Sequence, residues 1–389
     1  MDSESFAWLL TDAGQELLAR AGALGDADPL DAGTTLRAQG YDGARVAAAM
    51  SQVELRRRAA TKFGALAARM YFTPDGLEQA TRLRVARHRA ARLVAAGEQT
   101  LIDLGCGVGG DLVAAAEAGL TVAGVDLDEE RVSIARANLA ALGLGGAVTR
   151  ADATTLDLTP FDVAFADPAR RGPRGRSFRA ADWTPPWTFV ERLLRRDSCV
   201  KVAPGIPHDL VPDDVEAEWV SDGGEVKEAA LWSGRLAVVR RRATVIGHDG
   251  LATLTDEDES TIMVEPMDRF LYEPDGAVIR AGLVGAVAAG VRGALIDPKI
   301  AYITSASPYT TPFARGYEVI EELPYRDKQL RAALRERGIG RLTIKKRGVG
   351  VVPEVLRKRL ALSGSEEATI VLTRARGEGR CWSIRPLSG

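Results

Sequence analysis

Apolar residues recur three and four positions apart through "SFAWLLTDAGQELLARAG" and again in "TKFGALAARMYF", the spacing of helices with one buried face. A further helix opens in "FTPDGLEQATRLRVARHRAARLV", where Thr73 supplies an N-cap, Pro74 the first helical position and acids the first turn. Its pattern predicts an end near residues 95–99. From residue 100 the period changes. Short runs rich in Val, Leu and Ala ("TLIDLG", "LTVAGVDLD", "AVTRADA", "FDVAFADP", "SCVKVAPG") alternate with helical stretches such as "EERVSIARANLAALG" and "WTFVERLLRR". That rhythm predicts a doubly wound, mostly parallel α/β sheet. It closes with "EVKEAALWSGRLAVVRRRATVI", two strands joined at Ser233-Gly234, so the last strand is expected to be antiparallel. Beyond about residue 247 the chain becomes acidic and less regular. From Gly316 strands and helices return ("GYEVIEELP", "RDKQLRAALRERG", "IGRLTIKKRG", "VPEVLRKRLAL", "EATIVLTRAR", "RCWSIRPL"), which predicts a small α+β domain. The expected division is 1–74 helical, 75–246 α/β, 247–315 connecting and 316–389 α+β.

Composition adds bounds rather than a function. At 389 residues, with 46% hydrophobic and 27% charged, the chain reads as a globular protein of two or three domains. No run reaches the roughly 18 apolar residues of a membrane span. The acidic start "MDSESFAWLLTDAGQ" is unlike a secretory signal, and Cys106, Cys199 and Cys381 lie too far apart for a zinc cluster or a disulfide framework. His88, His208 and His248 have no partner at metal-ligand spacing, so no metal is expected. A cytoplasmic location is expected. The net charge of -2 hides local blocks: Glu54–Arg92 holds ten Lys/Arg against three acids, and Arg326–Arg359 twelve against three. Residues 213–228 and 249–273 are correspondingly acidic. Such blocks mark either binding surfaces or solvated helix faces.

The strongest chemical signal is "LIDLGCGVGGDL". A strand runs into Gly105, Gly107 and Gly109-Gly110, and a helix follows, so backbone amides approach a ligand at a helix N-terminus. Asp126 ends the next strand, where a carboxylate accepts from both hydroxyls of a ribose. Gly105, Gly107 and Gly110 also satisfy the dinucleotide fingerprint, which leaves a nicotinamide cofactor as an alternative. Three features point elsewhere. Asp103 precedes the glycines, placed to take the ammonium of an amino-acid ligand; Asp152 follows the third strand, on the adenine side; and the fourth strand ends in "DPAR".

On these motifs the chain resembles class I S-adenosylmethionine-dependent methyltransferases across roughly residues 75–246. The resemblance implies a seven-stranded Rossmann-like sheet and S-adenosylmethionine held by Asp103, Gly105, Gly107, Gly109, Asp126 and Asp152. "YEPDGAVIRAGL", "IDPKIAY" and "IKKRG" resemble the THUMP-like domain attached to bacterial methyltransferases of this kind. RNA is then the expected partner, with Lys345, Lys346 and Arg347 as candidate contacts.

"AFADPARRGPRGRSFR" brings an acid and a cationic loop together. Asp167 ends the fourth strand at the sheet edge where ligands bind in open α/β folds, with Pro168 and Arg170 beside it. Asp167 is the candidate for orienting or deprotonating the acceptor. Arg171, Arg174 and Arg176 suit a phosphate backbone, or else the chain's own acidic blocks. The motif departs from the family's base-stacking pattern, because Ala169 and Arg170 stand where a proline and an aromatic ring are usual. Cys199 begins the following strand rather than ending it, which makes it a core residue and leaves a carbon-5 mechanism unsupported. Two alternatives stay open: an RNA-binding adaptor that keeps the cofactor fold without catalysis, and a methyltransferase acting on protein or a small molecule.

Overall fold

Polar caps start the N-terminal helices where the apolar spacing predicts them. After α1 (Ser3–Leu9), the Thr11 hydroxyl opens α2 (Asp12–Ala23) by accepting from the Gly14 amide. Asp28 opens α3 (Pro29–Ala38) and Asp42 opens α4 (Gly43–Phe63) in the same way. Thr73 caps α5 (Pro74–Gln79), but the single long helix expected from here is broken: Ala80 is extended, and α6 (Leu83–Ala95) starts afresh. Lys62 explains the break. Its ammonium donates to the carbonyls of Leu77, Glu78 and Ala80 at 2.8, 2.7 and 2.9 Å, and so terminates the helix from outside.

This computed structural model describes residues 3–24, 28–168, 171–172, 175–176, 186–248 and 250–387. The chain divides into two compact units, Met1–Glu216 with Ala230–Val238, and Ala217–Ala229 with Val239–Gly389. No helix among the described residues is long and apolar enough to cross a membrane.

The β-α alternation is present. β1 (Thr100–Leu104), α7 (Gly110–Glu117), β2 (Thr121–Asp126), α8 (Glu129–Leu142), β3 (Ala147–Arg150) and β4 (Val163–Ala166) follow in order. A two-residue ribbon, β5 (Arg171–Gly172) with β6 (Gly175–Arg176), precedes α9 (Trp187–Leu193) and β7 (Ser198–Val202). Then come β8 (Glu216–Asp222), β9 (Glu225–Ser233), β10 (Arg241–Ile246) and β11 (Leu251–Thr255). One sheet takes the order β11-β10-β8-β9-β7-β4-β1-β2-β3. The pairs β1–β2, β2–β3, β1–β4 and β4–β7 are all parallel. Seven strands, β3 through β8 in that order, form the expected doubly wound sheet; β10 and β11 extend it to nine.

The hairpin lies one connection earlier than expected. Gly223 and Gly224, with φ of 63° and 82°, join β8 to β9 in two residues, a link open only to antiparallel neighbours. β10 runs parallel to β8 instead, and Gly234–Leu236 is a 3-10 turn rather than a hairpin tip. The signal was present in "SDGGEV", a two-glycine turn between apolar runs.

The second unit corrects the reading of residues 247–315 as a connection. Besides β11 they carry β12 (Phe270–Pro274), α10 (Gly276–Ala281), α11 (Val284–Gly290), β13 (Ala294–Asp297) and β14 (Ile300–Ser305). β15 (Ala314–Leu323), α12 (Asp327–Glu336), β16 (Ile339–Arg347), α13 (Pro353–Leu360), β17 (Glu366–Ala375) and β18 (Glu378–Pro386) complete it. These strands form one sheet, β13-β14-β12-β15-β18-β17-β16, so the strands of the presumed connection make nearly half of it. Alternation along β17 serves both faces: Ile370 and Leu372 join Leu330, Leu334, Leu356 and Leu360 beneath α12 and α13, while Val371 joins Trp382 and Ile384 opposite.

This second sheet curls. β12 and β16 are four strand spacings apart, about 19 Å in a flat sheet at roughly 4.8 Å each. Yet Glu273 Oε2 accepts from Lys345 Nζ at 2.7 Å. The Arg376 amide donates to the Ile296 carbonyl at 3.1 Å and the Gly377 amide to Asp297 at 2.9 Å, which ties the β17–β18 turn to β13.

Candidate active site

The glycine loop is shaped by its own backbone. Gly105, Gly107 and Gly109 have φ of 104°, 55° and 80°, where a side chain is strained. The amides of Gly105 and Cys106 donate to the Val125 carbonyl at 2.8 and 2.9 Å, anchoring the loop on β2. A Cβ added at Gly105 or Gly107 would meet nothing within 4 Å, so the loop borders open space. At Gly109 a Cβ would come within 3.1 Å of Ala135 on α8, a tight contact added to the strained φ.

Asp126 ends β2 and is 8% exposed. It accepts from the amides of Gly107 and Asp128, both at 3.0 Å, which fixes its carboxylate at the rim of the loop. Asp103, one residue before the end of β1, is 1% exposed, and its Oδ1 has no hydrogen-bond partner. Burial first, then the nearby carboxylates of Asp111 and Asp167, hold its acid well above the usual carboxylate range, with Arg89 acting against them. Arg89, on α6, is 4% exposed, pairs with Asp111 in the first turn of α7, and lies over the Phe165 ring at 4.3 Å. Phe165 and Asp103 are register partners on β4 and β1.

Asp167 follows β4 and accepts from Lys201 Nζ at 2.6 Å. The same ammonium donates to the Thr81 hydroxyl at 3.1 Å. Lys201 sits on β7, one residue beyond the Ala166–Val200 register pair, so the two strand ends place acid and lysine side by side. Pro168 is buried. Asp152 is exposed and caps a 3-10 turn, accepting from the Thr154 amide at 2.8 Å and hydroxyl at 2.7 Å. Those bonds, the hydroxyl's first, hold its acid below the usual range. Four carboxylates (Asp103, Asp111, Asp126, Asp167) therefore ring the loop with Arg89 and Lys201 among them, an environment that favours a cationic ligand.

The segment before α5 supports this loop from below. Asn138 of α8, fully buried, accepts from the Tyr71 amide at 2.7 Å and donates to the carbonyls of Tyr71 and Val108 at 3.1 and 2.8 Å. Gln52 holds the Phe72 amide and carbonyl at 3.1 and 2.8 Å.

Other expectations fare differently. Arg170 and Arg174 lie outside the described residues, as do the side chains of Arg171 and Arg176. Cys199 is a fully buried core residue. The arginines of α6 do not form a free basic face: Arg87 pairs with Glu117, Arg89 with Asp111 and Arg92 with Glu216. In "IKKRG", Lys345 and Arg347 turn to Glu273 at 2.7 and 3.8 Å and lie against the rings of Tyr317 and Tyr302, so only Lys346 is exposed. Lys345 and Arg347, expected as RNA contacts, are engaged within the sheet, because its curl supplies them with an internal acid. Sequence reasoning also missed Arg89 and Asp111. Arg89 is one of five arginines at mixed helical positions, and nothing local marks it as the buried one.

A parallel sheet with a glycine loop after β1, a fixed acid at the end of β2 and a carboxylate edge at β4 defines a Rossmann-like methyltransferase fold. Comparison with known proteins agrees. Residues 101–169 match a methyltransferase domain family, 314–386 a THUMP domain-like family and 2–59 a domain family of unknown function. An uncharacterized S-adenosylmethionine-dependent methyltransferase, found in two strains of Mycobacterium tuberculosis, is 39% identical over 333 residues, 82% of this chain and 90% of the relative. A crystal structure assigned as a methyltransferase from Porphyromonas gingivalis W83 matches 96% of this chain and 99% of its own, with a TM-score of 0.75 at 22% identity. The chain belongs to the S-adenosylmethionine-dependent methyltransferases. The residues present fit that cofactor: open space over the glycines, a fixed acid at β2, and a buried carboxylate oxygen that lacks a donor.

Proposed function

We propose that this methyltransferase modifies a structured RNA, with Asp167 as the residue that orients the acceptor and receives the proton it loses. The THUMP domain-like match at residues 314–386, in one chain with the methyltransferase domain, carries the RNA reading. S-adenosylmethionine, when bound, supplies a methyl group already activated on a sulfonium. Asp103 would take its ammonium, Asp126 its ribose hydroxyls and Asp152 its adenine side, while Gly105, Gly107 and Gly109 let the backbone approach. Lys201 and Thr81 support the role of Asp167, since they fix its carboxylate at the strand edge before the acceptor arrives. Arg170, Arg171, Arg174 and Arg176 follow directly in sequence and are assigned to the RNA phosphates next to the target.

The test uses labelled methyl groups. Purified protein is incubated with labelled cofactor and total RNA from a strain lacking the gene, and from its parent. Label is expected in RNA from the deletion strain alone, and Asp167→Asn should abolish it. Label confined to protein or small molecules overturns the proposal.

A further inference from the structure

The most cationic stretch of the chain is sorted by the fold into two populations. Of the twelve Lys/Arg between 326 and 359, those on or beside the strands meet acids, apart from the exposed Lys346: Lys345 and Arg347 share Glu273, Arg337 holds Glu321 and Arg341 holds Glu367. On the helices, Arg359 pairs with Asp327 at 2.9 Å. Arg326, Lys328, Arg331 and Arg335 at α12, with Arg357 and Lys358 on α13, have no carboxylate within 4.0 Å among the described residues. The other acids on these two helices are Glu336 and Glu354.

Arg326, Lys328, Arg335, Arg357 and Lys358 are exposed, while Arg331 is half-buried and Arg357 also donates from Nε to the Leu342 carbonyl at 3.2 Å. Leu330, Leu334, Leu356 and Leu360 bury the inner faces of both helices on the sheet. Arg335 donates to the Ala361 carbonyl at 2.9 Å, and the Arg359–Asp327 pair links the helices again. Packed helices lie roughly 8–10 Å apart, so the cations of α13 stand beside those of α12. Along α12, Lys328, Arg331 and Arg335 are spaced about 4.5 and 6 Å along the axis at 1.5 Å per residue. A polyanion with closely repeated charges suits such rows. Neither helix contains an aromatic residue, so the layer offers no ring on which an unpaired base could stack. That favours a double helix, whose bases are turned inward and whose phosphates face out.

We propose that the α12–α13 layer is the surface on which double-helical RNA docks, through its phosphate backbone and without sequence preference. The inference deepens the RNA reading above and rests on it. It also moves the contact away from Lys345 and Arg347, which the sheet uses internally.

The test is fluorescence anisotropy of the full chain with a labelled RNA hairpin, over a salt titration. If about five phosphates are neutralised at roughly 0.9 per phosphate in log–log slope, affinity should fall several hundredfold between about 50 and 200 mM salt. The variant K328Q/R331Q/K358Q should bind more weakly and lower the slope by about 2.7, at 0.9 for each charge removed. R337Q/E321Q, which deletes a satisfied pair without changing net charge, should leave the slope as it was. Thermal melts establish that each variant is folded. An unchanged slope in the triple variant overturns the proposal, as does tighter binding to single-stranded poly(U) than to the hairpin. Equal competition by polyglutamate at matched charge assigns the surface to an acidic protein and overturns it too. The outcome is separable from the RNA-methylation test: label in RNA with no slope change sinks only the docking surface, and docking without label sinks only the modification.

Discussion

Asp103→Asn isolates the charge at the base of the active site. The native carboxyl is nearly inaccessible, one oxygen has no donor, and Asp111, Asp167 and Asp126 oppose its ionisation while Arg89 favours it. The folded protein therefore keeps a proton that the unfolded chain releases near the usual value of about 3.9. Because the folded state binds the proton more tightly, stability without cofactor falls as pH rises from there through the elevated folded-state value. An ammonium ligand needs the ionised form, so cofactor uptake releases one proton. Affinity should then rise with pH by at most tenfold per unit, about 1.36 kcal/mol, until the empty site is itself ionised. Asparagine cannot ionise. The variant should lose this pH-dependent fall in stability, and it should lose one charge-assisted hydrogen bond to the ligand. That bond contributes about 1.5–3 kcal/mol, or roughly 10–150-fold in affinity. Calorimetry with S-adenosylmethionine, in buffers of different protonation enthalpy, reads both proton release and affinity; thermal melts without cofactor read the stability. Wild-type affinity in Asp103→Asn, together with a binding enthalpy for the native protein that is independent of buffer, would refute the reasoning.

Three further substitutions probe the supports of the site. Asn138→Leu strands three buried backbone groups and should destabilise the first unit by about 3–5 kcal/mol, visible as a lowered melting transition. Gly109→Ala places a side chain at φ 80° and against Ala135; a cost of about 1–2 kcal/mol should weaken cofactor binding tenfold or more in calorimetry. Lys201→Met removes the partner of Asp167 and should slow methyl transfer by about 10–100-fold while cofactor affinity stays within a fewfold of native. Equal loss of cofactor binding would instead mean that Lys201 only holds the fold.

Local signals carry much of this protein. Thr73-Pro74 marks a helix start, and "LIDLGCGVGG" with Asp126 marks a glycine loop between strand ends, because caps, positive-φ glycines and strand ends are decided by neighbours within a few residues. The Ser233-Gly234 turn fails for a related reason: a local pair that permits a turn does not specify which strands flank it, and Gly223-Gly224 formed the tighter link. The single helix predicted after Thr73 fails because Lys62 reaches it from α4.

Charge is where sequence reading ends and tertiary structure begins. The chain's order of residues determined that there would be a glycine loop, acids at successive strand ends and a cationic C-terminal block. Only the folded form decided which charges are consumed: Lys345 meets Glu273 from 72 positions away because a sheet curls, and one oxygen of Asp103 is left without a donor while the nearby Arg89 pairs with Asp111. A hydrogen-bonding cap acts over one turn of chain, whereas an ion pair or a desolvated carboxyl is set by whatever the fold brings within a few ångströms, and that distance has no counterpart in the linear order.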